Sequence, residues 1–183
     1  RENNQNQIKE LIEELGKTTH EYGSVAQKVG DMYLMGLDSV RLNEESVAPV
    51  VDDLKVITGL NDKTGYTRMI ARMQKMGTSP FFAFFVGASS QNIVNLYQAG
   101  MSMGDRDYYL LNDSTNIKIR DAYKKYINKL FILAGYTSEQ AAKAEDAVMK
   151  TETALAKVAF SREQLRDPQN NYNKMPFSQL EKM

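Results

Sequence analysis

The sequence contains no cysteine and a single histidine in 183 residues. Without cysteine there is no disulfide, no thiol nucleophile and no Cys-type zinc site, while the redox compartment stays open. The lone histidine, His20, rules out an H-E-x-x-H string and a histidine-based nucleophilic triad. It also leaves a catalytic zinc short of the three protein ligands it requires. No apolar run approaches the ~20 residues needed to span a bilayer. Charge of one sign is missing too: 23 basic side chains balance 23 acidic ones. A nucleic-acid binder shows a basic surplus or a concentrated basic face. The densest basic group, Lys118, Arg120, Lys124, Lys125 and Lys129, alternates with apolar residues at helical spacing and reads as a solvated helix face. Neither nucleic acid nor a membrane span is expected of this stretch.

What is present is a chain long enough to bury roughly 70% of its unfolded surface, with an ordinary hydrophobic share of 42%. The expected organisation is one helical domain over residues 1–183. Ile8, Leu11, Ile12 and Leu15 form one apolar stripe, with Gly16 as a stop. Further helices are expected over Glu21–Leu37, over Val47–Ile57 and around Tyr66–Met76, the last closed by Gly77. The methionines in these stripes read as packing, since Met fills irregular gaps. The period then changes. Pro80–Gly87 is aromatic and too short for a typical helix, and Ile93–Tyr97 follows after the turn-like 88–92, which predicts an antiparallel hairpin lying on helices. Two long helices complete the pattern, one from about Thr115 to Ala134 and one from Thr137 to about Leu165. Thr137 and Gln140 suit a capping box. Ala144, Val148, Thr151, Leu155, Val158 and Ala159 are expected as the buried stripe of the second. The short link at Gly135-Tyr136 makes the two an antiparallel pair. The fold class is mostly α, a multi-helix domain with one small antiparallel β-hairpin.

Residue patterns that carry chemistry are scarce. His20 stands alone in what looks like a helix start. Asn61–Gly65 lacks the alternation of a calcium loop, and Asp105-x-Asp107 is a bare pair, so no metal is expected in this stretch. The carboxylate pairs Glu13-Glu14, Glu44-Glu45 and Asp52-Asp53 are adjacent, point to different helix faces and read as solvated charges. No glycine-rich phosphate loop occurs. By its residues alone the sequence proposes no active site.

Two strings nevertheless stand out. Tyr97-Gln98-Ala99-Gly100-Met101-Ser102-Met103-Gly104-Asp105-Arg106-Asp107-Tyr108-Tyr109-Leu110 is similar to the Q-x-G-L-G-L-P-D-R-D-Y-Y-L pattern of neprilysin-like zinc metallopeptidases. Glu152-Thr153-Ala154-Leu155-Ala156, Arg166-Asp167-Pro168 and Tyr172-Asn173-Lys174-Met175 resemble that family's E-x-x-L-A, R-x-P and Y-N-x-M strings, in the same order and spacing. Departures are the family's Gly-x-Pro, which reads Ser102-Met103-Gly104 here and so lacks its proline, the Pro176 after the last motif, and Glu45 where mammalian members carry a carboxylate-anchoring Arg; Arg41 is nearby but out of register.

The resemblance implies the N-terminal, largely helical lid of a metalloendopeptidase of the cysteine-free bacterial endopeptidase O type. The lid would cap a substrate chamber and restrict it to smaller peptides. Zinc would belong to the parent protein and not to this stretch. The partners implied are a catalytic domain of the same polypeptide and peptide substrates, and the location implied is the periplasm or cell envelope. Arg106 and Asp107 are the candidates for substrate contact, with fixing of the following turn as the preferred role. Tyr108, Tyr109, Arg166, Pro168, Tyr172, Asn173 and Met175 are expected as structural motif residues. The chain opens at Arg1 and its last stretch, Pro176–Met183, begins like a helix and stops, so both ends are expected to be cuts in a longer chain. The alternative is a free-standing helical module that binds peptide or protein without catalysis.

Overall fold

The computed structural model describes residues 2–88 and 92–182, which divide into two compact units, residues 1–56 and 57–183. Helix accounts for 67% of the chain, and among the described residues there is one two-stranded antiparallel sheet. The mostly α class with a single hairpin is what the periodicity predicts.

In the first unit α1 (Glu2–Lys17) packs along α2 (Val25–Leu37). The two backbones touch. A Cβ built on Gly30 would lie 2.5 Å from the Leu15 carbonyl oxygen, and one on Gly16 would meet the Tyr33 ring at 2.8 Å. The second helix starts four residues later than its apolar pattern suggests. Gly23 takes a left-handed φ of 81°, which no helix continues, and the Ser24 hydroxyl then caps by accepting from the Gln27 amide at 3.1 Å. His20 is held locally, its ring nitrogen 2.9 Å from Thr18 Oγ1 and 3.0 Å from the Leu15 carbonyl oxygen. A short α3 (Ser39–Glu45), capped by Asp38, a 3-10 turn (Ala48–Val50) and α4 (Val51–Thr58) follow.

The second unit carries α5 (Lys63–Lys75), β1 (Phe82–Ala88), β2 (Asn92–Gln98), α6 (Asp107–Leu110), α7 (Ser114–Leu133) and α8 (Ser138–Val158). Each long helix opens on a side-chain cap. Asp62 accepts from the Gly65 amide at 2.7 Å, Asp113 from the Thr115 and Asn116 amides at 3.1 Å, and Thr137 and Gln140 form the expected capping box. Gly77 and Gly135, both at positive φ, close α5 and α7. Phe82 pairs with Gln98 and Gly87 with Ile93 in the hairpin; the turn expected at 88–92 has its centre, 89–91, outside the described residues. The core is thin and lies where α6, α7 and α8 meet, with Tyr109, Ile127, Ala141 and Ala156 buried.

One expected helix is two. Instead of running on to Leu165, α8 stops at Val158, Ala159 and Phe160 leave the helix, and α9 (Arg162–Arg166) begins on a second capping box from Ser161 and Gln164. The break is held from outside. Gln98 Nε2 donates to the Phe160 carbonyl at 3.2 Å while its Oε1 accepts the Phe160 amide at 2.8 Å, and Arg106 Nη1 donates to the Ala159 carbonyl at 2.6 Å. The buried seam of α8 is also rotated from the expected stripe. Of the expected stripe Ala159 is buried and Ala144, Val148 and Leu155 are half-buried, but Thr151 and Val158 are exposed, and the buried residues of α8 are Ala141, Glu152 and Ala156. α10 (Pro168–Asn171) and α11 (Phe177–Leu180) finish the chain, and nearly every residue beyond Ser161 is exposed.

Candidate functional site

The densest polar cluster lies where residues 98–109 meet α8. Gly100, at φ 84°, lets the chain pass so close to the Pro80 carbonyl that a side chain there would overlap it. The turn that follows delivers two hydroxyls to the Glu152 carboxyl group. Ser102 Oγ donates to Oε1 at 2.7 Å and Tyr109 OH to Oε2 at 2.6 Å. From α7, Tyr123 OH reaches both oxygens at 3.1 Å. The Tyr109 oxygen in turn accepts the Met103 amide at 3.0 Å, which closes the turn on itself. Glu152 is 8% exposed, so these hydroxyls take the place of water.

A second buried carboxylate, Asp105, binds Arg162 of α9 and accepts the Asp107 amide at 2.9 Å. Burial pushes its pKa up, but the Asp107 amide and the Arg162 guanidinium outweigh that and hold it below the usual carboxylate range. Burial, and then the bond to Glu152, push Tyr109 well above the ordinary tyrosine range, so it remains a donor. Tyr123 is raised as well, first by burial. Arg120 of α7 secures the far end of the turn, donating to the Tyr108 carbonyl at 2.9 Å, to the Leu111 carbonyl and to Asn112 Oδ1 at 2.9 Å.

Of the residues singled out from sequence, Arg106, Asp107, Tyr108 and Tyr109 all fall in this turn. Their roles differ. Arg106 is spent on the Ala159 carbonyl and Tyr109 on Glu152, whereas Asp107 is exposed at the start of α6 and only its backbone is engaged there. Arg166 ends α9, and Pro168 occupies the first turn of α10 under an Asp167 cap. Tyr172 is 73% exposed, Asn173 Nδ2 donates to the Asn170 carbonyl at 2.9 Å, and Met175 lies on the surface; these are not brought to the turn. Glu152, Ser102 and Asp105 lie in the strings that carry the family resemblance but, like Tyr123 and Arg162, have no site role from sequence reasoning. The Val148–Glu152–Ala156 spacing, which sets a carboxyl group on an otherwise apolar seam, was the available signal for the first of them.

The cluster is built to hold. Both Glu152 oxygens are occupied by donors from two other segments, the 98–109 turn and α7. Two surface depressions, one lined by Asp121, Lys125, Lys129 and Glu145 and the other by Ala147, Thr151 and Leu155, lie elsewhere. The donor set does not fit zinc either. Among the described residues no three His, Cys, Asp or Glu side chains converge, and His20 is engaged locally.

The family model described as peptidase family M13 matches residues 1–183. Endothelin-converting enzyme 1 of Cavia porcellus is 29% identical over 98% of this chain and 25% of its own, and that of Homo sapiens 28% identical over 98% and 24%. The chain thus spans about a quarter of these relatives' length. Among solved structures, the zinc metalloprotease Zmp1 of Mycobacterium tuberculosis in complex with an inhibitor superposes with a TM-score of 0.85 at 27% identity, over 97% of this chain and 27% of that one. Its open state gives 0.86 over 97% and 28%. The chain belongs to peptidase family M13, of which it is the N-terminal region.

Proposed function

We propose that this chain is the non-catalytic helical lid of a zinc metalloendopeptidase, capping a substrate chamber and limiting cleavage to smaller peptides. The observation that carries the reading is a structural match, over 97% of this chain, to about a quarter of a zinc metalloprotease. The metal would be held by a catalytic domain elsewhere in the same polypeptide, and peptides would be its substrates. This chain's part is to enclose and orient. The turn at 98–109, pinned to α8 through Glu152 and to α9 through Asp105, supplies the rigidity that a chamber wall needs. Within that turn the outward group is the Asp107 side chain, which is the one placed to meet a cationic group on a peptide or on the facing domain. The protein is assigned to the periplasm or cell envelope by the same reading.

The test is a length series. The polypeptide that contains this chain and its catalytic region is given peptides of graded size with one common scissile sequence. We expect kcat/KM to fall at least tenfold once the substrate exceeds the chamber, and Asp107→Asn to change KM with little effect on stability. Equal rates on short peptides and on a denatured protein of domain size would overturn the lid role.

A further inference from the structure

The β1–β2 hairpin is largely apolar on both faces, with Gln98 the polar residue beside Phe82 on one and Asn95 beside Phe85 on the other. Antiparallel register puts Phe82, Phe84, Val86, Val94 and Leu96 on one side and Phe85 and Tyr97, with Ala83 and Ile93, on the other. Neither strand contains a charged residue or a proline. A sheet with one wet face alternates apolar with polar, whereas strands buried on both faces read as continuous apolar runs. Here β1 is a continuous apolar run, while β2 also carries Asn92, Asn95 and Gln98, and the apolar residues are uncovered: the seven larger side chains named, Ala83 and Ile93 aside, are between 41% and 61% exposed. The sheet has only two strands, so each strand also has a free edge. Near its base it is tied down by Gln74 Nε2, which donates to the Phe82 carbonyl at 2.5 Å, and by Gln98, which pairs with Phe160. Natural sheets blunt open edges with charge, proline or a cover, and this one has none of them.

We propose that the hairpin is an inserted element, clamped on both faces by the remainder of the same peptidase polypeptide C-terminal to residue 183. This rests on the family reading above. Four considerations select that occupant. A second copy related by a twofold axis covers one face only, and covering both faces with copies gives an open-ended stack and not a closed dimer. The area agrees: at roughly 200 Å² per ring, the four aromatics leave about 400 Å² exposed. Split between two faces, with the three aliphatic side chains added, neither half reaches the roughly 800 Å² per partner of a stable interface. An extended peptide would satisfy an edge and leave both faces wet. About three quarters of a relative's length lies outside the matched stretch, which is chain enough to supply two walls.

The experiment uses the longest natural polypeptide containing this chain, with a photoreactive benzophenone amino acid placed at position 84 on one face or at position 97 on the other. After irradiation, cross-links are mapped by mass spectrometry, and zinc content and peptidase activity are measured on the same samples before irradiation. The expected result is an intramolecular cross-link from each position to residues beyond 183. Cross-links from only one position, from neither, to residues 1–183, or to another copy each overturn the proposal. Zinc and peptidase activity report separately on the family reading. An active zinc enzyme with either position uncross-linked sinks the insertion alone, and an inactive, zinc-free protein cross-linked at both sinks the enzymatic role alone.

Discussion

At Glu152 three hydroxyls from two other segments converge on one buried carboxyl group. Removing it orphans the buried Tyr109 hydroxyl and strips a partner from Tyr123 and Ser102, and an unsatisfied buried donor is expensive. We expect Glu152→Ala to cost about 3 kcal/mol. Glu152→Gln, which keeps one acceptor oxygen, should cost about half as much. Thermal unfolding checks both, and the larger loss corresponds to a fall of roughly 10 °C in a chain of this size. Asp105 makes a pH-dependent contribution whose sign follows from its lowered folded pKa. The stability it supplies is present above the unfolded value and is lost as pH falls through the folded one, hence below about pH 3.9. Asp105→Asn should therefore flatten the acid limb of a stability-against-pH curve measured by urea unfolding. Tyr109 has the opposite sign. Its raised pKa means that stability declines above the ordinary tyrosine range, near pH 10. These residues were hard to read in the sequence because each matters through a partner 43 to 57 positions away. The strings that mark the family were visible, but which member of R-D-Y-Y faces inward depends on the distant Ala159 and Glu152.

The helices were legible where local chemistry decides them. Thr137 with Gln140, and the glycines at 77 and 135, mark boundaries that tertiary contacts leave alone. Where a distant group intervenes, local reading fails. α8 ends seven residues early because Gln98 and Arg106 take the backbone groups that a continuing helix would use. Helix α2 offers a paired test of the same distinction. Gly30 abuts the Leu15 carbonyl, while a Cβ on Gly36 meets nothing within 4 Å. Gly30→Ala is expected to cost about 2 kcal/mol by forcing α1 and α2 apart. Gly36→Ala is expected to add about 0.5 kcal/mol by relieving the helix of a flexible residue. Chemical denaturation of the two variants, equal in chemistry and opposite in sign, decides whether that backbone contact is real.

Across the whole molecule the buried set is small for 183 residues, and large apolar side chains from Ile8 to Leu180 are exposed. Such surface marks contact with other protein. The 183-residue chain alone should therefore bind a hydrophobic dye strongly, and the longer polypeptide should bind several-fold less per molecule. A monodisperse, dye-silent chain would count against the lid reading. The sequence identified the class and the family, since hydrophobic period and motif order survive without a partner. It could not show how sparse the core is, because an apolar stripe looks the same whether it is covered by its own chain or by another.

The Gln98–Phe160 clasp closes a loop of 62 residues. Joining ends that far apart carries an entropic penalty of about 4 kcal/mol, more than two hydrogen bonds return. The clasp therefore cannot lead folding. The α7–α8 pair, linked by a short turn, has to assemble first, and the hairpin is drawn in afterwards. Gln98→Leu should accordingly leave the refolding rate unchanged and speed unfolding about tenfold, which places the clasp on the native side of the transition state.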